Sequence, residues 1–129
     1  MRSESIVKED HSIQALFKSF KYALDGILTA FKIGRNIKVQ CCIAIMVVLA
    51  GVHYKVSALQ WIVLFMMICQ VLVLEMVNTS IERVVDLASP QHHPYAKIAK
   101  DVAAGAVLFA CFIAVLIGII IFVPYIFTE

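Results

Sequence analysis

The sequence predicts an all-α membrane protein, with an N-terminal amphipathic surface helix followed by three transmembrane helices. Of its 129 residues, 62% are hydrophobic, and the mean hydropathy is +0.92. An ordinary soluble domain is about 45–50% apolar, and a chain this short cannot bury such an excess in a globular core. Three long apolar runs are separated by polar breaks. We therefore expect a single membrane-embedded domain over residues 1–129.

The N-terminal region is expected to contain a polar tail and then a helix. Residues 1–11 are polar and acidic and lack the early apolar core of a signal peptide. From Ser12, a plausible N-cap, apolar residues recur at spacings of three and four, which predicts a surface helix over residues 12–33. Its lysines fall mostly off the apolar face, as in helices that lie in the membrane interface. Packing of this helix on the rest of the protein is the alternative, and both interpretations remain open.

The membrane helices are predicted over residues 35–55, 57–88 and 95–127. The first has a short apolar run compared with the usual span of about 20 residues, and flanking basic side chains could snorkel to the interface. The second carries Trp61 as an interfacial anchor and is too long for the hydrocarbon core, so one end must project into water. The prolines and polar residues of 89–94 separate the second helix from the third.

The placement of charge predicts the topology. Of the 11 Lys and Arg residues, seven lie within residues 1–38, around or before the start of the first apolar run, Lys55 alone lies where the first two membrane helices connect, and Arg83, Lys97 and Lys100 surround the second connection. The positive-inside rule puts the N-terminus and residues 83–100 in the cytoplasm and the C-terminus outside, in a multi-pass protein of the cytoplasmic (inner) membrane. The net charge of +2 is mild, and no basic run interleaves with aromatic residues, so we expect no nucleic-acid partner.

The most informative stretch is residues 75–86, at the end of the second span. At 100° per residue, one stripe about 100° wide holds five polar residues, which are Glu75, Asn78, Thr79, Glu82 and Asp86. Carboxylates at a membrane edge are costly and are usually functional. The apolar neighbours of Glu75 favour a general base there. The alternative is a solvated helix face, or structural pairing of the carboxylates with Lys97 or Arg83.

Other polar residues near this stripe have two interpretations each. His92 and His93 are candidate metal ligands, although adjacent loop residues seldom bind one ion together and can equally be polar loop residues. Lys100 and Asp101 directly precede the third apolar run, where a lysine suits a phosphate group, but they can also be a solvated helix start. The four cysteines lie in apolar runs without a Cys-x-x-Cys pair and are expected to be small buried hydrophobic residues.

Two segments also resemble a known family. Glu-Met-Val-Asn-Thr-Ser-Ile-Glu-Arg-Val-Val-Asp at 75–86 resembles the signature of the small prokaryotic integral-membrane diacylglycerol kinases and of their Gram-positive relatives, the undecaprenol kinases. His-Pro-Tyr-Ala-Lys-Ile-Ala-Lys-Asp-Val-Ala-Ala-Gly-Ala-Val-Leu at 93–108 resembles the second signature of that family, and its wording is more similar to the undecaprenol branch. The likeness extends from about Phe17 through the third span.

The resemblance implies a domain-sharing homotrimer that transfers the γ-phosphate of ATP to a membrane lipid alcohol, either undecaprenol or diacylglycerol, with magnesium (Mg²⁺). It implies that Glu75 is the general base and that Glu82 binds the metal and the nucleotide. The further nucleotide-contacting positions it implies are Tyr22, Gln91, His92, His93, Lys100 and Asp101. The lipid-contacting positions it implies are Glu75, Asn78 and Ala104.

One position departs from the family pattern. Before Arg35-Asn36 the family places a glutamate that helps to hold the metal, and here Ile33-Gly34 stands in its place. The coordination of a divalent ion with one protein carboxylate can be completed by ATP phosphates and water.

Undecaprenol kinase is the leading interpretation of the sequence. Its rivals are a diacylglycerol kinase and a catalytically silent relative that binds lipid or nucleotide; a small transporter or holin would not explain Lys100 and Asp101 beside the acidic stripe.

Overall fold

The computed structural model describes residues 2–91 and 93–127, and those residues form four α-helices and no strand. The helices are α1 (Arg2–Ile33), α2 (Arg35–His53), α3 (Ala58–Ala88) and α4 (Pro94–Phe127). The predicted all-α membrane class is confirmed, because α2, α3 and α4 are each long and apolar enough to cross a membrane. At about 1.5 Å per residue, α3 exceeds the hydrocarbon thickness of about 30 Å.

Helix α1 forms a unit of its own. It begins at Arg2 rather than at Ser12, so the stretch expected to be a polar tail is helical from its second residue. The physical reason is local: no glycine or proline occurs before Gly26, and Glu, Lys and Gln favour a helix even without an apolar face. Further along, Phe17 and Phe20 have exposed side chains, in keeping with an amphipathic helix.

The second unit contains α2, α3 and α4, and a tight connection joins its first two helices. After His53, the residue Lys55 adopts a left-handed backbone with φ of 51°. Ser57 then caps α3, because its hydroxyl accepts from the Gln60 N–H at 3.3 Å while the Gln60 side chain accepts from the Ser57 N–H at 2.8 Å. This reciprocal capping box fixes where α3 starts, and the short turn makes α2 and α3 antiparallel neighbours.

Close approach of α2 and α3 near this turn depends on a glycine. A Cβ atom placed on Gly51 would lie 2.7 Å from the Trp61 ring, which is closer than carbon atoms can approach. Trp61 also stacks on Phe65, with ring centroids 5.2 Å apart. The tryptophan predicted as an interfacial anchor therefore also closes the α2–α3 interface. A small core at the same end joins Val56, Leu64 and Ile121.

Helix α4 begins with Pro94, whose missing N–H costs nothing at a first helical position. The helix packs on α3, and two of its buried side chains, Ala103 and Ala110, are small, as is common where membrane helices approach closely. Because the connections are short, the start of α2, the end of α3 and the start of α4 lie at one end of this unit. The predicted site residues of α3 and of the start of α4 therefore share that end.

The cysteines differ from expectation. All four are free thiols, but Cys42 and Cys69 are exposed, and Cys41 and Cys111 are only partly buried. The expectation of buried cysteines is wrong for Cys42 and Cys69, because these residues lie on the outward faces of α2 and α3. An apolar run in a membrane protein fixes the surroundings as nonpolar, but it does not decide which residues face the other helices.

Candidate active site

Burial along the acidic stripe of α3 falls steadily toward the end of the helix. Glu75 is 3% exposed and Asn78 is 4% exposed. Glu82, one turn further on, is partly buried, and Asp86 is exposed. The stripe predicted from the sequence therefore runs from the interior of the three-helix unit out to its surface, and a solvated helix face describes only its last part.

The buried carboxylate of Glu75 is held from a second helix. The side-chain amide of Gln40 on α2 donates from Nε2 to Glu75 Oε2 at 3.2 Å. Within α3, the Thr79 hydroxyl donates to the Glu75 backbone oxygen at 2.9 Å. The sequence reasoning missed Gln40, although a polar residue inside the first apolar run was a usable signal, since uncharged polar groups in membrane helices usually find partners.

Asn78 links the buried and exposed parts of the stripe. Its Nδ2 donates to Glu82 Oε1 at 3.2 Å, as side chains four residues apart on a helix can. The Asn78 Oδ1 atom is buried and has no hydrogen-bond partner among the described residues. Buried oxygens are hydrogen-bonded in the large majority of cases, so this atom faces a position suited to a donor.

Two ion pairs occupy the outer end of the site. Lys100 Nζ of α4 lies 2.7 Å from Asp86 Oδ1 of α3, and the two side chains are 38% and 56% exposed. Lys97 pairs with Asp101 one turn along its own helix. The sequence raises Lys97 or Arg83 as structural partners of the stripe; the structure pairs Lys97 with Asp101 instead, and Lys100 is the lysine that pairs with Asp86.

A cleft of about 750 Å³ opens where α3 passes into α4. Its lining includes Asp86, Gln91, His93, Lys100 and Asp101, so several of the predicted nucleotide-contacting residues meet there. A volume of this size is in the range of small-molecule sites, which is about 300–1,000 Å³. Its two lysines each pair with an aspartate, Lys97 with Asp101 and Lys100 with Asp86, so an anionic, water-soluble ligand would bind by replacing an aspartate as the partner of a lysine.

His93 has a local structural role in this cleft. Its Nδ1 accepts from the Tyr95 N–H at 3.2 Å, and its ring stacks on the Tyr95 ring with centroids 5.6 Å apart. The histidine thus satisfies one of the free N–H groups at the start of α4. The nearby turn is held by the Ser89 hydroxyl, which donates to the Gln91 backbone oxygen at 2.9 Å.

On the membrane side of Glu75 lies an apolar cavity of about 210 Å³ among α2, α3 and α4. Leu72, Ile68 and Cys111 are among its lining residues, and Gln40 contributes the amide at its edge. The same glutamine therefore contacts both the apolar cavity and the buried carboxylate. A molecule with an apolar body and a polar head would bring that head close to Glu75.

The donor atoms of the site decide which kind of metal ion it can hold. Across residues 2–91 and 93–127, no group of three His, Cys, Asp or Glu side chains could hold a metal ion. The donor set fits a Mg²⁺ ion that arrives with ATP, since such an ion needs only one or two carboxylates besides phosphates and water. Glu82 is the carboxylate suited to it. The set does not fit a metal held by protein ligands alone.

Three predicted site residues lie outside the two groups described above. Tyr22 lies on α1 with an exposed side chain, and Ala104 is exposed on α4. His92 lies outside the described residues. The structure thus brings Glu75, Asn78 and Glu82 together on α3, and it brings Gln91, His93, Lys100 and Asp101 together at the cleft. The roles of all these residues, including Tyr22, His92 and Ala104, stay predictions.

The chain is similar to known proteins over a range that includes these site residues. The family model described as prokaryotic diacylglycerol kinase matches residues 21–122. The chain is 39% identical over 118 residues to the undecaprenol kinase of Bacillus subtilis, covering 90% of this chain and 96% of that protein. It is 41% identical over 110 residues to a diacylglycerol kinase of Synechocystis, covering 84% of this chain and 63% of that protein. It is 31% identical over 93 residues to a diacylglycerol kinase of Helicobacter pylori, covering 72% and 73%.

Proposed function

This chain belongs to the prokaryotic diacylglycerol kinase family and is a lipid kinase, and we propose that it transfers the γ-phosphate of ATP to the hydroxyl of undecaprenol. Two observations support undecaprenol as the acceptor. The sequence of residues 99–107 resembles that of the undecaprenol branch. The undecaprenol kinase of Bacillus subtilis also matches over 96% of its length at 39% identity.

The observation that carries the proposal is the buried carboxylate of Glu75 between an apolar cavity and a cleft that contains two lysines. Glu75 is 3% exposed and bonds to Gln40, which lines the apolar cavity. Lys100 and Asp101 line the cleft at the outer end of the same stripe. A lipid kinase takes a lipid from the membrane and a nucleotide from water. The apolar cavity offers a place for the lipid, and the cleft offers a place for the nucleotide.

In the proposed reaction Glu75 is the general base. The lipid O–H proton passes to the Glu75 carboxylate while the lipid oxygen forms a bond to the γ-phosphorus. The bond between that phosphorus and the oxygen bridging to the β-phosphate breaks, and ADP leaves with the electron pair. Phosphoryl transfer passes through a loose transition state, so positioning and charge stabilisation are the main contributions of the protein.

Lys100 is proposed to contact the phosphates of ATP. Its ammonium group is exposed enough to exchange Asp86 for a phosphate oxygen, since the pair is 38% and 56% exposed. Charge-assisted hydrogen bonds of this kind favour negative charge that develops on the nucleotide. Gln91, His93 and Asp101 line the same cleft and are proposed to contact the nucleotide, as are Tyr22 and His92.

Mg²⁺ is proposed as the cofactor. When bound, it would supply charge neutralisation between the β- and γ-phosphates. Glu82 would hold it, and the Asn78 amide, which donates to Glu82 Oε1 at 3.2 Å, orients that carboxylate. Gly34 supplies no second carboxylate, so we expect weak affinity for the metal. Asn78, together with Ala104, is also proposed to contact the lipid.

A homotrimer with active sites shared between neighbours is proposed as the functional assembly. Gln70 supports a partner for α3, because its side chain is exposed near the middle of a membrane-spanning helix. An amide that faces lipid there is unfavourable, whereas an amide that faces a second copy can form hydrogen bonds. Cross-linking in native membranes, followed by denaturing electrophoresis, tests this assembly. We expect bands up to the trimer, and a monomer band alone would contradict the proposal.

The cytoplasmic membrane is proposed as the location, with the N-terminus and the cleft inside and the C-terminus outside. Lys97 and Lys100 at the cleft, against Lys55 alone at the opposite turn, support this orientation. It also places the proposed nucleotide site on the side where ATP occurs.

A competition assay tests the choice of acceptor. Purified protein in mixed micelles would receive γ-labelled ATP with equal amounts of undecaprenol and diacylglycerol, and the labelled lipids would be separated. We expect the label mainly in undecaprenyl phosphate. Label mainly in phosphatidic acid would favour the diacylglycerol alternative, and no label in either lipid would favour the silent relative that Gly34 raises.

A further inference from the structure

The structure assigns a role to Gln40, which belongs to neither of the two signature segments. We infer that Gln40 is a positioning residue that holds the Glu75 carboxylate in place for proton transfer. Its Nε2 crosses from α2 to α3 and donates to Glu75 Oε2 at 3.2 Å. The inference rests on the proposed function, because it concerns the base of that reaction.

The chemistry of the pair suits this role. A carboxylate only accepts hydrogen bonds, so the amide must turn its NH₂ group toward Glu75, and one carboxylate oxygen remains for the substrate proton. A neutral amide holds the carboxylate without adding a positive charge. A lysine or arginine at this place would favour the ionised form strongly and make Glu75 a weaker base.

The side-chain oxygen of Gln40 indicates which kind of substrate group fits beside Glu75. Gln40 Oε1 is buried and has no hydrogen-bond partner among the described residues, and the same is true of Asn78 Oδ1. Both unpaired acceptor atoms therefore belong to residues near Glu75: Gln40 bonds to its carboxylate and lines the apolar cavity, and Asn78 lies three residues along the same face of α3. A primary alcohol offers one O–H donor on an apolar chain, which matches that combination.

The polar and titratable groups near Glu75 come from three helices. From α4, Cys111 lies close enough to interact electrostatically with Glu75. From α2, the neutral Gln40 faces it. On its own helix, Glu82 lies beyond Asn78, which bonds to it. A change of charge at position 40 would therefore act on Glu75 more directly than on the other groups.

The test makes one substitution, which preserves the length of the side chain, both in wild type and in the Glu75→Gln variant. Gln40→Met keeps the length of the side chain and removes the donor. We expect kcat to fall by up to about 100-fold while KM for ATP is unchanged, because misplaced catalytic groups cost that much without affecting remote binding. In a Glu75→Gln background the same substitution should cause no further loss, because no base remains to position.

A pH profile adds a readout that a packing role would not move. Gln40→Glu places a second carboxylate beside Glu75, and two carboxylates that share a site resist ionising together. The acidic limb of the kcat profile should shift to higher pH. Ser80→Ala is the matched control, since it removes one hydrogen bond from the exposed face of α3, to the Met76 backbone oxygen, and should leave both kcat and the pH profile unchanged.

The outcomes separate the inference from the proposed function. If wild type phosphorylates lipid and Glu75→Gln does not, but Gln40→Met keeps full kcat, the inference is overturned and the function stands. A loss in Gln40→Met that persists equally in the Glu75→Gln background would assign Gln40 to packing and also overturn it. Absence of phosphoryl transfer by wild type would overturn both.

Discussion

Lys100 Nζ lies 2.7 Å from Asp86 Oδ1, and this ion pair joins α4 to α3 at the rim of the cleft. The two side chains are partly open to solvent, and exposed ion pairs contribute little to stability. The pair keeps the ammonium group near the proposed nucleotide site without holding it tightly. A half-exposed cation of this kind is available to an incoming phosphate.

The first prediction concerns this lysine. Lys100→Met should lower kcat/KM for ATP by about 10- to 100-fold, since a hydrogen bond to a charged phosphate is lost. The midpoint of thermal unfolding should stay close to that of wild type, because the lost ion pair is exposed. Steady-state kinetics against ATP and differential scanning fluorimetry in detergent give the two quantities.

Asp86→Asn is the matched control for Lys100. It removes the same ion pair but leaves the cation in place, so ATP use should be nearly normal. If Asp86→Asn were as defective as Lys100→Met, the pair itself would be what matters, and the proposed contact between Lys100 and phosphate would be wrong.

The second prediction concerns the metal. Gly34 is buried and has φ −78° and ψ 119°, an extended backbone that any residue adopts, so the backbone permits Gly34→Glu, and size-exclusion chromatography should first show that the variant assembles like wild type. A second carboxylate there should lower the Mg²⁺ concentration for half-maximal rate, and Glu82→Gln should remove most activity at any Mg²⁺ concentration. The measurement is a Mg²⁺ titration of the kinase rate.

Unchanged Mg²⁺ dependence in Gly34→Glu would mean that position 34 does not face the metal. Asp86 or Asp101 would then be the next carboxylates to test by the same titration. A wild type that is inactive with both lipids, and is rescued by Gly34→Glu, would instead identify a silent relative.

The third prediction concerns packing. A Cβ at Gly51 would lie 2.7 Å from the Trp61 ring, so Gly51→Val should force α2 and α3 apart and destabilise the protein by about 1–3 kcal/mol. Gly118→Ala is the control, because nothing lies within 4 Å of a Cβ there. Unfolding in mixed micelles would compare the two. Equal stability of Gly51→Val and wild type would contradict the observed α2–α3 contact.

The fourth prediction concerns topology. Single cysteines at positions 55 and 91, on a background without the four native cysteines, should react from opposite sides of the membrane. Position 91 should be labelled from the cytoplasm and position 55 from outside, as the distribution of lysines predicts. Labelling of both positions from one side would exclude an odd number of spans between them and so refute the membrane crossing of α3.

Much of the fold follows from patterns that act locally. Ser57 and Gln60 mark the start of α3 through their capping box, and Pro94 marks the start of α4. The acidic stripe of α3 follows from helical periodicity alone, which is why the amino-acid sequence suffices to place Glu75, Asn78 and Glu82 on one face. These features depend on residues close together in sequence.

Other features depend on contacts between helices, which the sequence pattern does not reveal. Gln40 acquires its role only because α2 brings it to Glu75, 35 residues further on. Structural pairing of the acidic stripe with Lys97 or Arg83 is the alternative at the sequence level, yet Lys100 pairs with Asp86, because the turn between α3 and α4 decides which lysine faces α3. The exposure of Cys42 and Cys69 likewise depends on how the helices are rotated, which composition does not fix.

The central claim is that the buried carboxylate of Glu75 takes the proton of the lipid hydroxyl. The most direct measurement is the turnover of wild type and Glu75→Gln with saturating ATP, Mg²⁺ and undecaprenol, after size-exclusion chromatography has shown that both assemble alike. Because Gln has nearly the same shape but cannot act as a base, kcat should fall by about 10²–10⁴-fold. Turnover of Glu75→Gln close to that of wild type would contradict the claim.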